Sequence, residues 1–136
     1  MTPEQIVERA LQKTAGVDDL THELKMILVD EDGKETEREM EVKALTEKDG
    51  SSYSMSIFTA PRREKGIALL TISEAGKDEV QYLYLPSTRR VKRVNSSNRS
   101  SSFRGSEFTF EDLSGQKVDD YKFERVTEEG CAQWQC

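Results

Sequence analysis

The chain has 136 residues, with 26 acidic and 20 basic side chains, one histidine and a formal charge of −6. A chain of this length makes one domain with one core, no segment approaches the ~20 apolar residues that span a bilayer, and the acidic balance argues against general nucleic-acid binding. No charged start leads into an apolar stretch, so a signal peptide is expected to be absent or already removed.

The first segment predicts a helix. Thr2 offers an N-cap hydroxyl, Pro3 suits the first helical position, and Gln5 follows the cap by three residues. Ile6, Val7, Ala10 and Leu11 then share one face, with Glu8, Arg9, Gln12 and Lys13 opposite, and Gly16 is the expected stop. Such a helix lays its narrow apolar face on something flat and apolar.

From Leu20 the period changes to two. Leu20, His22, Leu24, Met26 and Leu28 alternate with Thr21, Glu23, Lys25 and Ile27 as a half-buried strand does. A turn at Asp30 to Lys34 precedes a second strand with Met40, Val42 and Ala44 on one side. Another turn at Lys48 to Ser51 leads to Tyr53, Met55 and Ile57, closed by Ala60-Pro61. Ile67 to Ile72 is apolar nearly throughout, the pattern of a strand covered on both faces. Val80 to Leu85 and Arg89 to Val94 complete an antiparallel meander, whose short connections leave no room for crossover helices. The fold class is therefore mainly β with an N-terminal α-helix.

Asn95 to Ser102 is polar, without either period, and reads as a mobile loop. Phe103, Phe108, Phe110 and Leu113 follow at spacings that suit a packed irregular piece, and Tyr121 to Val126 resumes strand alternation. Cys131 and Cys136 are either two half-buried thiols or a disulfide closing a tight hairpin, which needs an oxidising compartment.

Catalysis finds no support. His22 is the single histidine, in register with Leu20 and Leu24, and nothing sets it beside a nucleophile and an acid. Neither a phosphate loop, a metal-ligand spacing nor a cofactor motif is present, so no catalytic residue, metal or cofactor is expected.

Taking the more apolar side of each strand as inward gives Leu24, Met26, Leu28, Met40, Val42, Met55, Ile57, Leu69, Tyr82 and Tyr84. Three methionines on neighbouring strands suit a cavity for varied acyl chains, and an ordinary core is the other reading. One short helix covers only part of a wide sheet face, so the remainder must meet protein, ligand or partner. Arg89, Arg90, Lys92, Arg93, Arg99 and Arg104 fall in a stretch, Pro86 to Gly105, that contains no acid. It is open to three readings: a solvated strand edge that blocks unwanted pairing, a site for lipid phosphates or another polyanion, or, least favoured, nucleic acid.

The run Tyr82-Leu83-Tyr84-Leu85-Pro86-Ser87-Thr88-Arg89-Arg90-Val91-Lys92-Arg93-Val94, then Ser102-Phe103-Arg104-Gly105-Ser106-Glu107-Phe108 and Phe110-Glu111-Asp112-Leu113, resembles the outer-membrane lipoprotein-sorting family. These are LolA-like proteins of Gram-negative bacteria, often associated with RND-type (MMPL) exporters. The resemblance implies a periplasmic protein with an unclosed β-barrel, a curved antiparallel sheet wrapped around helices. Its apolar interior would carry lipid or lipoprotein acyl chains towards the outer membrane without catalysis. The motif positions are Ser102, Phe103, Gly105, Phe108 and Asp112, and Arg104 stands where an apolar residue is common. Family members usually continue past the point matching Cys136, so residues 1–136 are expected to form a single LolA-like domain truncated at its C-terminus.

On this reading those inward side chains meet acyl chains, while Arg89, Arg90 and Arg93 meet anionic headgroups or an acidic partner. Contact with a membrane would be peripheral, and two chains could pair their open sheet edges as a homodimer. The alternative is a non-enzymatic periplasmic module that docks on an RND-type exporter or another envelope protein.

Overall fold

The computed structural model describes residues 1–14, 18–114 and 118–126. The chain divides into two compact units, one built from Met1–Ala15 with Gln116–Cys136 and the other from Gly16–Gly115.

In the first unit, α1 spans Pro3–Thr14. Its start is a reciprocal cap: the Gln5 amide donates to Thr2 Oγ1 at 3.3 Å, and the Thr2 amide donates to Gln5 Oε1 at 2.9 Å. Glu4 in the first turn and Lys13 in the last complement the helix dipole. No described helix is long and apolar enough to cross a membrane. A 3₁₀ turn at Val118–Asp120 leads into Tyr121 to Val126, which forms no ladder, contrary to the alternation of its sequence. Period two alone does not make a strand; a neighbour must supply hydrogen bonds, and here Val126 is 95% exposed. The Gly16 stop and the Cys131–Cys136 pair lie outside the described residues.

The second unit is a six-stranded meander: β1 Asp19–Val29, β2 Glu35–Thr46, β3 Ser52–Ala60, β4 Ala68–Ser73, β5 Val80–Leu85 and β6 Arg90–Val94. Each strand pairs antiparallel with the next, so β1 and β6 are the edges. The first turn closes on Asp30, whose Oδ1 accepts from the amides of Asp32 and Lys34 at 3.0 and 2.8 Å, while Gly33 takes a φ of 79°. Gly66 has a φ of 88°, and a Cβ there would meet Pro86 Cγ at 3.2 Å, so glycine suits both its backbone and its neighbour.

Register assigns the faces, because directly opposed residues point the same way. Leu24 faces Met40, Met40 faces Phe58, Ser56 faces Leu69, and Leu69 faces Leu83. These define a first face. Met55 faces Leu70, Leu70 faces Tyr82, and Tyr82 faces Arg93 on the second. The expected inward set therefore splits. Leu24, Met26, Leu28, Met40, Val42 and Leu69 share the first face, whereas Met55, Ile57, Tyr82 and Tyr84 lie on the second. The reason is in β3, whose first-face residues before Phe58 are Ser52, Ser54 and Ser56. Polarity within that strand points the wrong way; only pairing with β2 reveals it.

The core lies on the first face, where Met26, Met40, Phe58, Ile67 and Leu69 are buried together with Phe103. Leu28, Leu83, Leu85, Val94, Phe110 and Leu113 pack around them. The segment after β6, expected as a mobile loop, instead folds back over this end of the sheet. Ser96–Asn98 is a 3₁₀ turn, Phe110 N donates to Ser101 O at 3.3 Å and Glu111 N to Arg99 O at 2.9 Å.

Charge is divided across the sheet. On the second face, β1 and β2 carry Glu23, Glu35, Glu37, Glu39 and Glu41 against Lys25 and Lys43. At the far edge, Val80 to Val94 holds Arg89, Arg90, Lys92 and Arg93 with no acid.

Candidate functional site

The motif residues form a tight local knot. The Phe103 amide donates to Phe108 O at 2.6 Å, Ser106 Oγ donates to Phe103 O at 2.7 Å, and Ser102 bridges Thr109. Gly105 turns the chain with a φ of 71°. Asp112 accepts at Oδ2 from the Thr109 amide at 2.7 Å and from its hydroxyl at 2.9 Å. Those two bonds, the backbone one foremost, hold its carboxyl below the ordinary aspartate value. The result is to plant Phe103 on the sheet, stacked on Phe58 and met edge-on by Phe110. Phe108 stands apart at 51% exposure.

Four polar ties hold the knot down. Arg104 Nη2 meets Glu64 Oε2 at 3.1 Å, with the Glu64 side chain 9% exposed. Arg99 Nη2 meets Glu79 Oε1 at 2.7 Å, and Gln81 Nε2 donates to Phe110 O at 2.9 Å. Arg38, on the first face of β2, donates from Nη1 to Arg104 O at 2.6 Å. Arg104 itself sits at a φ of 52°, in the left-handed region. Its side chain makes its ion pair with the loop after β3. Sequence reading missed Arg38, Glu64, Glu79 and Gln81; the one available signal was a glutamate inside the charged loop Arg62 to Lys65.

The rest of the first face is less covered. Leu20, Leu24 and His22 are exposed, Val42 and Ala44 half-buried, and β3 contributes Ser52, Ser54 and Ser56. These three short, half-buried side chains stand in a row between β2 and β4. A groove of about 290 Å³ opens at the opposite end of β1 and β2, lined by Met26, Leu28, Thr36, Gly105, Ser106 and Phe108 among others, bringing motif and expected cavity residues together. Met26, Met40 and Leu69 are packed solid under Phe103, so the cavity residues do not act as one lining.

The second face has its own groove of about 330 Å³, bordered by Lys43, Leu45, Tyr53, Met55 and Leu70. Burial, with Glu47 and Glu74 adding to it, raises the Tyr53 phenol above its ordinary value, so it stays protonated. Another hollow of about 330 Å³ lies over the acidic hairpin at Glu23, Lys25, Glu39 and Glu41. Among the described residues no group of three or more His, Cys, Asp or Glu side chains converges as metal ligands would.

The three arginines assigned to headgroups or a partner do not share one face. Arg89 occupies the turn at a φ of 52°, Arg90 pairs with Leu85 on the first face, and Arg93 pairs with Tyr82 on the second. All are exposed.

Residues 50–136 match the model of a protein family described as uncharacterized protein-like. Among solved structures, a domain from Vibrio parahaemolyticus designated an outer membrane lipoprotein-sorting protein superposes with a TM-score of 0.83 at 33% identity, over 93% of this chain and 54% of that one. A DUF1329 family protein from Desulfovibrio piger ATCC 29098 superposes with a TM-score of 0.74 over 89% of this chain and 53% of the other; at 23% identity the likeness is one of fold. The chain thus spans about half the length of each. No curated protein matches it. The unclosed antiparallel sheet and N-terminal helix are those of the lipoprotein-sorting structure.

Proposed function

We propose, for a chain that belongs to the family matched over residues 50–136 and has the fold of LolA-like lipoprotein-sorting domains, that it carries lipid or lipoprotein acyl chains on the uncovered part of its first face. The observation behind this reading is the row of short side chains Ser52, Ser54 and Ser56, with Val42, Ala44 and Leu69 beside it, on a face whose other end the chain covers with Phe103. Short side chains leave room, and Val42, Ala44 and Leu69 give it an apolar border for hydrocarbon. Each buried CH₂ contributes about 0.8 kcal/mol, so a long chain is retained without any chemistry. A carrier of this kind works in the periplasm and needs no catalytic residue.

Organic extraction of the purified protein followed by mass spectrometry tests the reading, together with titration by a fluorescent fatty acid. Co-purifying lipid and saturable uptake are expected; repeated absence of both sinks it.

A second reading is favoured by one observation. Arg89, Arg90 and Arg93 are exposed and form no ion pair among the described residues. They are then a docking site for an RND-type exporter or another acidic envelope protein. Charge reversal there would abolish capture by that partner and spare fatty-acid uptake.

A further inference from the structure

We propose that the rim of the sheet formed by β6 and the adjoining second-face tyrosines of β5 docks on an anionic lipid surface. This goes beyond the cargo reading and does not rest on it. Arg89, Arg90, Lys92 and Arg93 are all exposed, no acid lies between Val80 and Val94, and none of the four pairs with a carboxylate among the described residues. On the second face Arg93 stands opposite Tyr82, and Val91, 63% exposed, stands opposite Tyr84. Cations beside half-buried tyrosines and an uncovered aliphatic residue are the composition of a headgroup-level anchor: the rings enter the interface, and the charges remain among the phosphates.

The chain's net charge of −6 opposes approach to such a surface, so distance decides the outcome. Strands lie about 4.8 Å apart, which puts the acidic β2 row roughly 19 Å from β6. That exceeds two Debye lengths at physiological salt, about 8 Å each. The rim is thus attracted while the glutamates of β1 and β2 are screened and disfavour the reverse orientation; of the two acids beside β5, Glu79 is neutralised by Arg99 and Asp78 leaves the four cations in excess. A lipid layer suits this rim better than the acidic envelope protein of the second reading, because the cations do not converge. Arg90 and Lys92 point from one face and Arg93 from the other, a spread that a fluid layer of phosphates satisfies and a fixed carboxylate does not.

The test is cosedimentation of the full chain with vesicles of phosphatidylcholine alone and with about a third phosphatidylglycerol, at low and high salt. Binding is expected only to the anionic vesicles, with loss at high salt. Each removed charge lowers affinity about fivefold, and the combined Arg89→Glu, Arg90→Glu and Arg93→Glu variant lowers it at least about a hundredfold. The single Arg93→Gln change, on an exposed position, gives the smaller shift even if the combined variant does not fold. No binding to anionic vesicles, equal binding to both kinds, or binding indifferent to Arg93→Gln and to salt overturns the proposal. Fatty-acid uptake by the same variants is measured separately and is expected to be unchanged, so failure of docking and failure of the cargo reading are told apart.

Discussion

Phe103 lies on Phe58 with ring centroids 5.8 Å apart and planes inclined by 20°, both rings 1% exposed. A residue from the segment after β6 thereby completes a core whose other members come from the sheet and the connection before β4. Truncation to Phe103→Ala removes the stacked ring and its edge-on contact with Phe110, and is expected to cost about 3–5 kcal/mol. Urea unfolding followed by circular dichroism measures it; a loss under 1 kcal/mol would mean that the knot is not part of the cooperative unit.

The Arg104–Glu64 pair is asymmetric in burial. Arg104→Met strands a carboxylate that is 9% exposed, while the guanidinium it loses is one-third exposed and partly screened. A loss of about 2 kcal/mol is expected, below that of a fully buried pair. Adding Glu64→Gln recovers part of it, because a neutral amide needs no counter-charge. A double-mutant cycle in urea gives the coupling directly, and additive losses would refute it.

Acid should open the turn at Asp112 before the sheet. Its carboxyl is held below the ordinary aspartate value by the Thr109 amide and hydroxyl, so its contribution is complete above the unfolded value of about 3.9 and is lost as pH falls through the lower folded value. The Thr109 amide resonance is expected to shift over that window, and Asp112→Asn is expected to abolish the shift.

The two faces make opposite forecasts for cargo. In a chain with Cys131→Ser and Cys136→Ser, a cysteine at Leu24 or Val42 is expected to react more slowly with a thiol reagent once a fatty acid is bound. A cysteine at Met55 or Tyr84, on the second face, is expected to keep its rate. Protection at Met55 without protection at Leu24 would move the cargo to the other face.

Strand existence was legible because period two is a local property: Val80 to Leu85 was placed to the residue, and β1 and β6 to within one. Facing was not, since it is a relation between strands. Ser52, Ser54 and Ser56 occupy the core-side face of β3 while Tyr53, Met55 and Ile57 look like the buried set. A register irregularity at Glu39/Met40 adds a further shift that no single strand announces. The family motif was legible as a run of residues, but its work was not. Phe103 became a core residue only through Phe58, a partner far away in sequence, and Arg104 gained its meaning from Glu64. Conversely, Tyr121 to Val126 carried a strand's pattern without a strand's neighbour.

The separation of acids on β1 and β2 from bases on β6 makes the isoelectric point a poor guide to handling. A molecule with a pI near 5.0 would ordinarily be held at neutral pH by an anion-exchange resin alone. With its two flanks of opposite sign it presents either one to a charged bead, and it should be retarded on heparin or a sulfonated column as well.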